Sequence, residues 1–282
     1  MNRENMLIEA SDLAAIINDS NLRLFDATFA INPAAPLGNH EHYLSAHIPG
    51  AAFLDHFELS DKNSQHMFMV ASENDLARRL GEYGISNKTE VVIYSRQHIM
   101  GATRAYWVLR YAGHDHIKIL NGGLTGWQAA GYDVEEGDSC YDPVHFSVDL
   151  RRAMFASQQD VINAMTDADV CTLNSLPSSY YEGDPDVPYT AQGHITGSIS
   201  HPCNDLMDGE VFLTDTELVE KLHAKTSGKR MIAYCGGGIA ATVNAFAALM
   251  VGQEDAAVYD GSLSEWISAE LPTTLGTAPG EI

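Results

Sequence analysis

Positive charge is scarce in this chain. Of its 282 residues only 16 are Lys or Arg, against 38 Asp or Glu, a formal net charge of −22. A field of that sign repels phosphate backbones and anionic lipid, so neither nucleic acid nor a membrane surface is expected as a partner. The deficit is uneven: beyond residue 156 the cations are Lys221, Lys225, Lys229 and Arg230. Long apolar runs are missing too, and nothing approaches the ~18–20 residues of a membrane span. From Met1 to Ile17 acids are scattered, with no basic stretch leading into an apolar one. That argues against a secretory signal and for a cytoplasmic protein. Cysteine is sparse: Cys140, Cys171, Cys203 and Cys235 form no Cys-x-x-Cys pair, and the 12 histidines include no His-Glu-x-x-His. A disulfide scaffold is thereby excluded, no metal site is expected, and reduced thiols are.

What is present is ordinary globular composition, 45% apolar and 19% charged, at a length suited to two domains. An internal repeat decides the architecture. Leu24-Phe25-Asp26-Ala27 has a counterpart in Thr172-Leu173-Asn174-Ser175, and His47-Ile48-Pro49-Gly50 in His194-Ile195-Thr196-Gly197. Val91-Val92-Ile93-Tyr94-Ser95 matches Met231-Ile232-Ala233-Tyr234-Cys235, and Gly122-Gly123-Leu124 through Trp127 matches Gly261-Ser262-Leu263 through Trp266. Four blocks in one order, with a slowly drifting offset, describe two duplicated domains rather than a solenoid.

Each copy alternates short apolar runs with amphipathic stretches. Strands are expected at 22–25, 52–54, 91–94 and 117–120, then at 170–173, 231–234 and 256–259. Helices are expected at 11–18, 73–83 and 103–112, then at 158–164, 215–223 and 240–250. Continuous apolar strands separated by helices indicate α/β domains, each a parallel sheet covered on both faces. The polar, turn-rich stretch around 135–144, with Gly137 and Pro143, marks the join. The expected organisation is a first domain over 1–139, a linker over 140–155 and a second domain over 156–282. In such sheets ligands bind beyond the carboxyl ends of the strands.

One segment carries chemistry. The apolar run Met231–Tyr234 leads into Cys235-Gly236-Gly237-Gly238-Ile239-Ala240 and then a helical run. Consecutive glycines reach backbone angles closed to other residues, so successive N–H groups can curl around one point. The following helix aims its positive end at the same point, which favours a thiolate there and negative charge on a bound sulfur. Cys140, Cys171 and Cys203 lack that setting and read as structural.

These motifs together resemble the tandem-domain rhodanese family, the thiosulfate/3-mercaptopyruvate sulfurtransferases. The resemblance spans nearly the whole chain: HIPGAAFLD at 47–55, VVIYS at 91–95, ILNGGLTGW at 119–127, GHITGSI at 193–199, YCGGGIAA at 234–241 and YDGSLSEW at 259–266. It implies two rhodanese-like domains with catalysis in the second alone, and Ser95 indeed stands where Cys235 does in the other copy. It also implies sulfur transfer through a Cys235 persulfide, without cofactor or metal. A small donor would supply the sulfur, and cyanide, a small thiol or a protein thiol would accept it. The implied binding residues are Gly236, Gly237, Gly238, Ile239 and Ala240, with Tyr180, Arg104 and Asp55 around them. Ser60, Asp61 and His66 match a first-domain stretch that faces the site in relatives.

The chain departs from the family where anions are held. Thiosulfate-type members carry a cation directly after the cysteine, and mercaptopyruvate-type members a Gly-Ser/Thr-Gly loop; here there are three glycines, and the loop's usual closing Thr is Ala240. The family's two second-domain arginines fall at Leu176 and Tyr180. Arg96, Arg104 and Arg110 are the candidate replacements, of which Arg110 reads as a surface residue. A second reading is therefore a persulfide carrier or binding module with little turnover on small donors, taking sulfur from a protein persulfide. Phosphatase chemistry on a related fold would need an arginine six residues after the cysteine, where Ala241 stands.

Overall fold

The computed structural model describes residues 2–29, 39–187 and 190–281. Two five-stranded parallel sheets repeat one strand order. In the first it runs Leu7–Ile8, Ile117–Leu120, Glu90–Tyr94, Leu22–Asp26, Ala52–Phe53. In the second it runs Phe155–Ala156, Ala257–Tyr259, Arg230–Tyr234, Val170–Asn174, Ile199–Ser200. Each is an α/β domain of helices packed on a parallel sheet. The expected strands and helices appear within a few residues of their expected ends. The outermost strands of both sheets, two residues each, carry too short a pattern to read; the Ala52–Phe53 strand alone was foreseen among them.

Local sequence accounts for the helix starts. Ser72 caps the Glu73–Glu82 helix by accepting from the Asp75 amide, and Thr214 with Glu217 forms a reciprocal capping box on the Asp215–Thr226 helix. Residues 141–151 run along the first domain. The Tyr141 hydroxyl accepts from the Leu24 amide at 2.9 Å and donates to the Gly50 carbonyl at 2.7 Å. The Val144 amide donates to the Gly81 carbonyl at 2.9 Å. A Cβ on Gly81 would lie 2.5 Å from the Val144 carbonyl oxygen, so a side chain there would push this segment away.

The Met100–Tyr111 and Ala241–Met250 helices form the contact between domains. The second, Ala-Thr-Val-Asn-Ala-Phe-Ala-Ala-Leu-Met, has no charged face and is buried at every position. A helix without a charged face must be covered all round, which the second sheet, its flanking helix and the Met100–Tyr111 helix of the first domain achieve. Tyr106 meets Phe246 edge to face with ring centroids 4.7 Å apart. The equivalent threonines Thr103 and Thr242 share a hydrogen bond of 2.8 Å, so the two copies meet about a local axis between these hydroxyls. Among the described residues no helix is long and apolar enough to cross a membrane.

Candidate active site

Cys235 follows directly on the Arg230–Tyr234 strand and is 2% exposed. Its loop is fixed by the turn after the neighbouring strand. The Leu263 amide donates to the Cys235 carbonyl at 3.1 Å, and the Ser264 amide to the Gly236 carbonyl at 3.0 Å. The Ser262 hydroxyl accepts from the amides of Cys235 and Gly238, both at 3.1 Å, and donates to the Tyr259 carbonyl at 2.8 Å. Ser262 sits at φ +52°, a region a non-glycine residue occupies at some cost, and its three hydrogen bonds hold it there.

With those two amides drawn to Ser262, the amides of Gly236, Gly237, Ile239 and Ala240 have no protein acceptor among the described residues. Ala240 begins the Ala241–Met250 helix without a side-chain cap. Open amides and an uncapped helix start thus follow directly on one thiol at a strand end, an order suited to a negatively charged sulfur. Gly238, at φ +76°, could carry no side chain: a Cβ would lie 2.7 Å from the Asp260 carbonyl oxygen. Gly237 faces the first domain, the nearest atom to a Cβ built there being the Met67 carbonyl oxygen at 3.7 Å.

The other expected residues divide sharply. His66 is brought to the site: its Nδ1 lies 3.4 Å from the hydroxyl of Ser264, whose amide holds the loop. Asp55 caps its own turn, its Oδ1 accepting from the Phe57 amide at 2.9 Å, and Asp61 does the same for Asn63 at 2.9 Å. Ser60 donates to the His56 carbonyl at 2.7 Å. Tyr180 lies in the short Ser178–Glu182 helix beyond the carboxyl end of the Val170–Asn174 strand, partly buried against the core. Leu176 is buried, its amide held by Asn174 Oδ1 at 2.9 Å. Arg104 is 2% exposed and gives Nη1 to Asp260 at 2.6 Å and to the Gly238 carbonyl at 3.1 Å. Arg96 lies against Asp26 and Arg110 against Asp115.

Sequence reasoning left Ser262 and Asp260 without roles, although both stand in a quoted motif. It also gave no account of a buried polar chain specific to the second domain. Asn244 donates to the Ser175 hydroxyl at 2.7 Å and to the His201 carbonyl at 2.9 Å, and its Oδ1 lies 3.2 Å from His201 Nδ1. Burial lowers the pKa of His201. Their counterparts in the first domain are Ala105, Ala27 and Leu54. Burial, and then the nearby Cys235 thiol, push the Cys203 thiol up to about 12, so it stays protonated.

Known proteins place these features in context. A family model described as rhodanese-like domain matches twice, over residues 9–130 and 151–269. The thiosulfate sulfurtransferase of Bos taurus is 33% identical over 261 residues, covering 90% of this chain and 87% of the bovine one. The crystal structure of a 3-mercaptopyruvate sulfotransferase from Escherichia coli superposes with a TM-score of 0.84 at 26% identity, covering 92% of this chain and 98% of its own. An anaerobic ergothioneine biosynthesis enzyme from Chlorobium limicola reaches the same TM-score, 0.84, at 23% identity over 97% of this chain and 71% of its own. That last likeness is one of fold.

Proposed function

The chain belongs to the rhodanese-like family of sulfurtransferases, and from that premise we propose that it moves a sulfane sulfur from a thiosulfate- or 3-mercaptopyruvate-type donor to a thiophilic acceptor through a persulfide on Cys235. The Cys235 thiolate attacks the outer sulfur of the donor. A sulfur–sulfur bond forms as the donor's own bond to that sulfur breaks, and the remainder (sulfite, for thiosulfate) leaves with the electron pair. An acceptor thiolate or cyanide then takes the outer sulfur, and Cys235 returns as thiolate. Two covalent steps replace one difficult transfer. The open amides of Gly236, Gly237, Ile239 and Ala240 around Cys235 are the observation that carries this reading. They supply donors where the persulfide's negative charge would rest. A thiol nucleophile needs a reducing setting such as the cytoplasm, in keeping with four unpaired cysteines.

A second reading is favoured by the missing anion clamp. Leu176 and Tyr180 stand where the family has arginines, while Arg96, Arg104 and Arg110 each lie against an acid. A charge-assisted hydrogen bond to a donor's sulfonate or carboxylate is worth about 1.5–3 kcal/mol. Small anionic donors are therefore held weakly, and the protein serves as a persulfide carrier fed by another protein's persulfide. Thiosulfate, 3-mercaptopyruvate and a protein persulfide are offered in turn, and the intact mass is measured. A species heavier by one sulfur atom, absent in Cys235→Ser, is expected. No such species from any donor would sink sulfur transfer and favour a binding module, and one from the protein donor alone selects the carrier.

A further inference from the structure

We propose that Arg104 and Asp260 are a positioning pair through which the first domain sets the shape of the Cys235 loop; the inference rests on sulfur transfer at Cys235. Arg104 lies midway along the Met100–Tyr111 helix of the first domain, and Asp260 in the turn that follows the Ala257–Tyr259 strand of the second. The two side chains are 2% and 5% exposed. Arg104 Nη1 donates to Asp260 Oδ1 at 2.6 Å and to the Gly238 carbonyl at 3.1 Å, and Nη2 donates to the Phe68 carbonyl. Its guanidinium lies over the Phe155 ring, 5.2 Å from the centroid. Asp260 Oδ2 accepts from the Val70 amide at 2.6 Å. One ion pair therefore joins the catalytic loop, the turn behind it and the first-domain strand of chain that passes over it at Met67–Val70.

Stability alone does not explain such a pair. Desolvating two charges offsets most of their attraction, and apolar replacements of like shape are often as stable. What the pair does uniquely is hold Gly238. That residue's amide is tied to Ser262 and its carbonyl to Arg104, so both ends are fixed, at φ +76°, between the open amides of Gly237 and Ile239. Moving it by an ångström would turn both amides away from the sulfur. Misplacement on that scale is worth up to about 100-fold in rate.

The repeat makes the arrangement one-directional. Thr103 and Thr242 are equivalent and touch at the local axis. The next residue on each helix begins its reach toward the opposite domain. On the first domain it is Arg104; its equivalent is Val243, which is buried and uncharged. Asp260 has Asn121 as its equivalent, and that amide is spent on Glu9 and on the Phe212 amide. The domain without a nucleophile sends a buried guanidinium to the loop that has one; what the second domain sends to the equivalent first-domain turn is Glu210, whose Oε1 accepts from the Thr125 hydroxyl at 3.0 Å, and no cation.

Full-length Arg104→Lys and the double variant Arg104→Met/Asp260→Asn, which leaves no buried charge unpaired, are the test. Single-turnover persulfide formation with thiosulfate is followed by mass, and alkylation of Cys235 by iodoacetamide is followed separately. The double variant should unfold within a few degrees of the parent, form persulfide roughly 30–100-fold more slowly at saturating donor, and show a half-saturating donor concentration changed less than about threefold. Lysine, which can reach one acceptor, should recover about a tenth of the parent rate. Parent-level rates in the double variant would overturn the proposal. So would a loss confined to half-saturation, since that would make Arg104 a donor contact. If the parent itself forms no persulfide, sulfur transfer fails, and the alkylation rates still decide: equal rates in parent and variants overturn the positioning role, a several-fold change sustains it. If the double variant does not fold, Arg104→Lys carries the same comparison.

Discussion

The loops after the Glu90–Tyr94 and Arg230–Tyr234 strands begin from one frame and then diverge. In both, an amide from the turn of a neighbouring strand holds the first loop carbonyl: Leu124 to Ser95 at 3.2 Å, Leu263 to Cys235 at 3.1 Å. Beyond that point the first-domain loop closes on itself. The Ser95 hydroxyl donates to the His98 carbonyl at 2.6 Å, the Arg96 amide is taken by Thr28 at 3.1 Å, and Gln97 adopts φ +62°. The second-domain loop satisfies two amides on Ser262 and leaves four without an acceptor among the described residues. At the position of Ser262 the first domain has Gly123, so nothing gathers the loop there. The first loop is also one residue longer, and its Gln97, Ile99 and Met100 amides, like four in the second, have no acceptor among the described residues; the contrast lies in the residue at the strand end, in the loop's length and bend, and in the Ser262 anchor.

The largest test of that contrast exchanges the nucleophile. In Ser95→Cys/Cys235→Ser the thiol moves to a loop one residue longer, bent at Gln97 and lacking the Ser262 anchor. Persulfide formation should fall at least about 1,000-fold, to the level of Cys235→Ser alone, because the longer loop does not gather its amides as the anchored glycines do. Mass measurement after exposure to donor reads it directly. Appreciable persulfide on residue 95 would mean that the frame suffices and the anchored glycines do not matter.

A second contrast concerns what holds each loop's floor. The Ala27 carbonyl accepts from the buried His56 ring at 2.9 Å, while the equivalent Ser175 carbonyl accepts from the Cys203 amide at 3.0 Å. Burial lowers His56 from 6.5 to about 4. The native chain therefore keeps a neutral ring where the unfolded chain gains a proton. The ring's contribution is fully present above about pH 6.5 and is lost as pH falls toward about 4, some 3 kcal/mol in all. His114, also lowered to about 4, adds in the same sense. Urea unfolding of His56→Gln should show about one proton less uptake across that window than the parent. An unchanged slope would mean the ring is protonated in the native state.

Ser262 gives a smaller effect and a sharper one. Ser262→Gly copies the first domain's residue and relieves the positive φ, but leaves the Cys235 and Gly238 amides without their acceptor. Each buried unmade bond costs about 1–3 kcal/mol, against roughly 1 kcal/mol of relieved strain. A net loss of about 2 kcal/mol is expected, with persulfide formation slowed about tenfold. Retained rate with lowered stability would show that Ser262 holds the fold and not the loop's shape.

What the sequence disclosed follows the same division. The repeat, the parallel strands and the placing of Cys-Gly-Gly-Gly between a strand and a helix are local patterns, and the structure has all three. Ser262 is 27 residues from the amide it accepts and Arg104 is 156 from its carboxylate, and no local period reports such distances. Arg104 did carry a signal, since a charge within the otherwise apolar Ala102–Val108 run requires a buried partner. The partner it finds is the protein's own Asp260. Asp55 matches a motif, and its Oδ1 closes its own turn.

The mildest change addresses the charge that the second domain lacks. Tyr180 stands at one of the family's arginine positions, on a five-residue helix beyond the strand end, and the loop carries no cation of its own. Tyr180→Arg would place a guanidinium on the donor side of the site without disturbing the cradle amides. One partly solvated charge-assisted bond is worth about 1.5 kcal/mol, so the half-saturating concentration of 3-mercaptopyruvate should fall about tenfold with turnover nearly unchanged. Raising the salt concentration should erode the gain, because an exposed cation is screened. Improved binding with unchanged turnover would mean that the second domain differs from its relatives in what it holds and not in what it does to sulfur. If binding does not improve, the residues around position 180 face away from the donor, and the weak anion affinity has its origin in the three glycines.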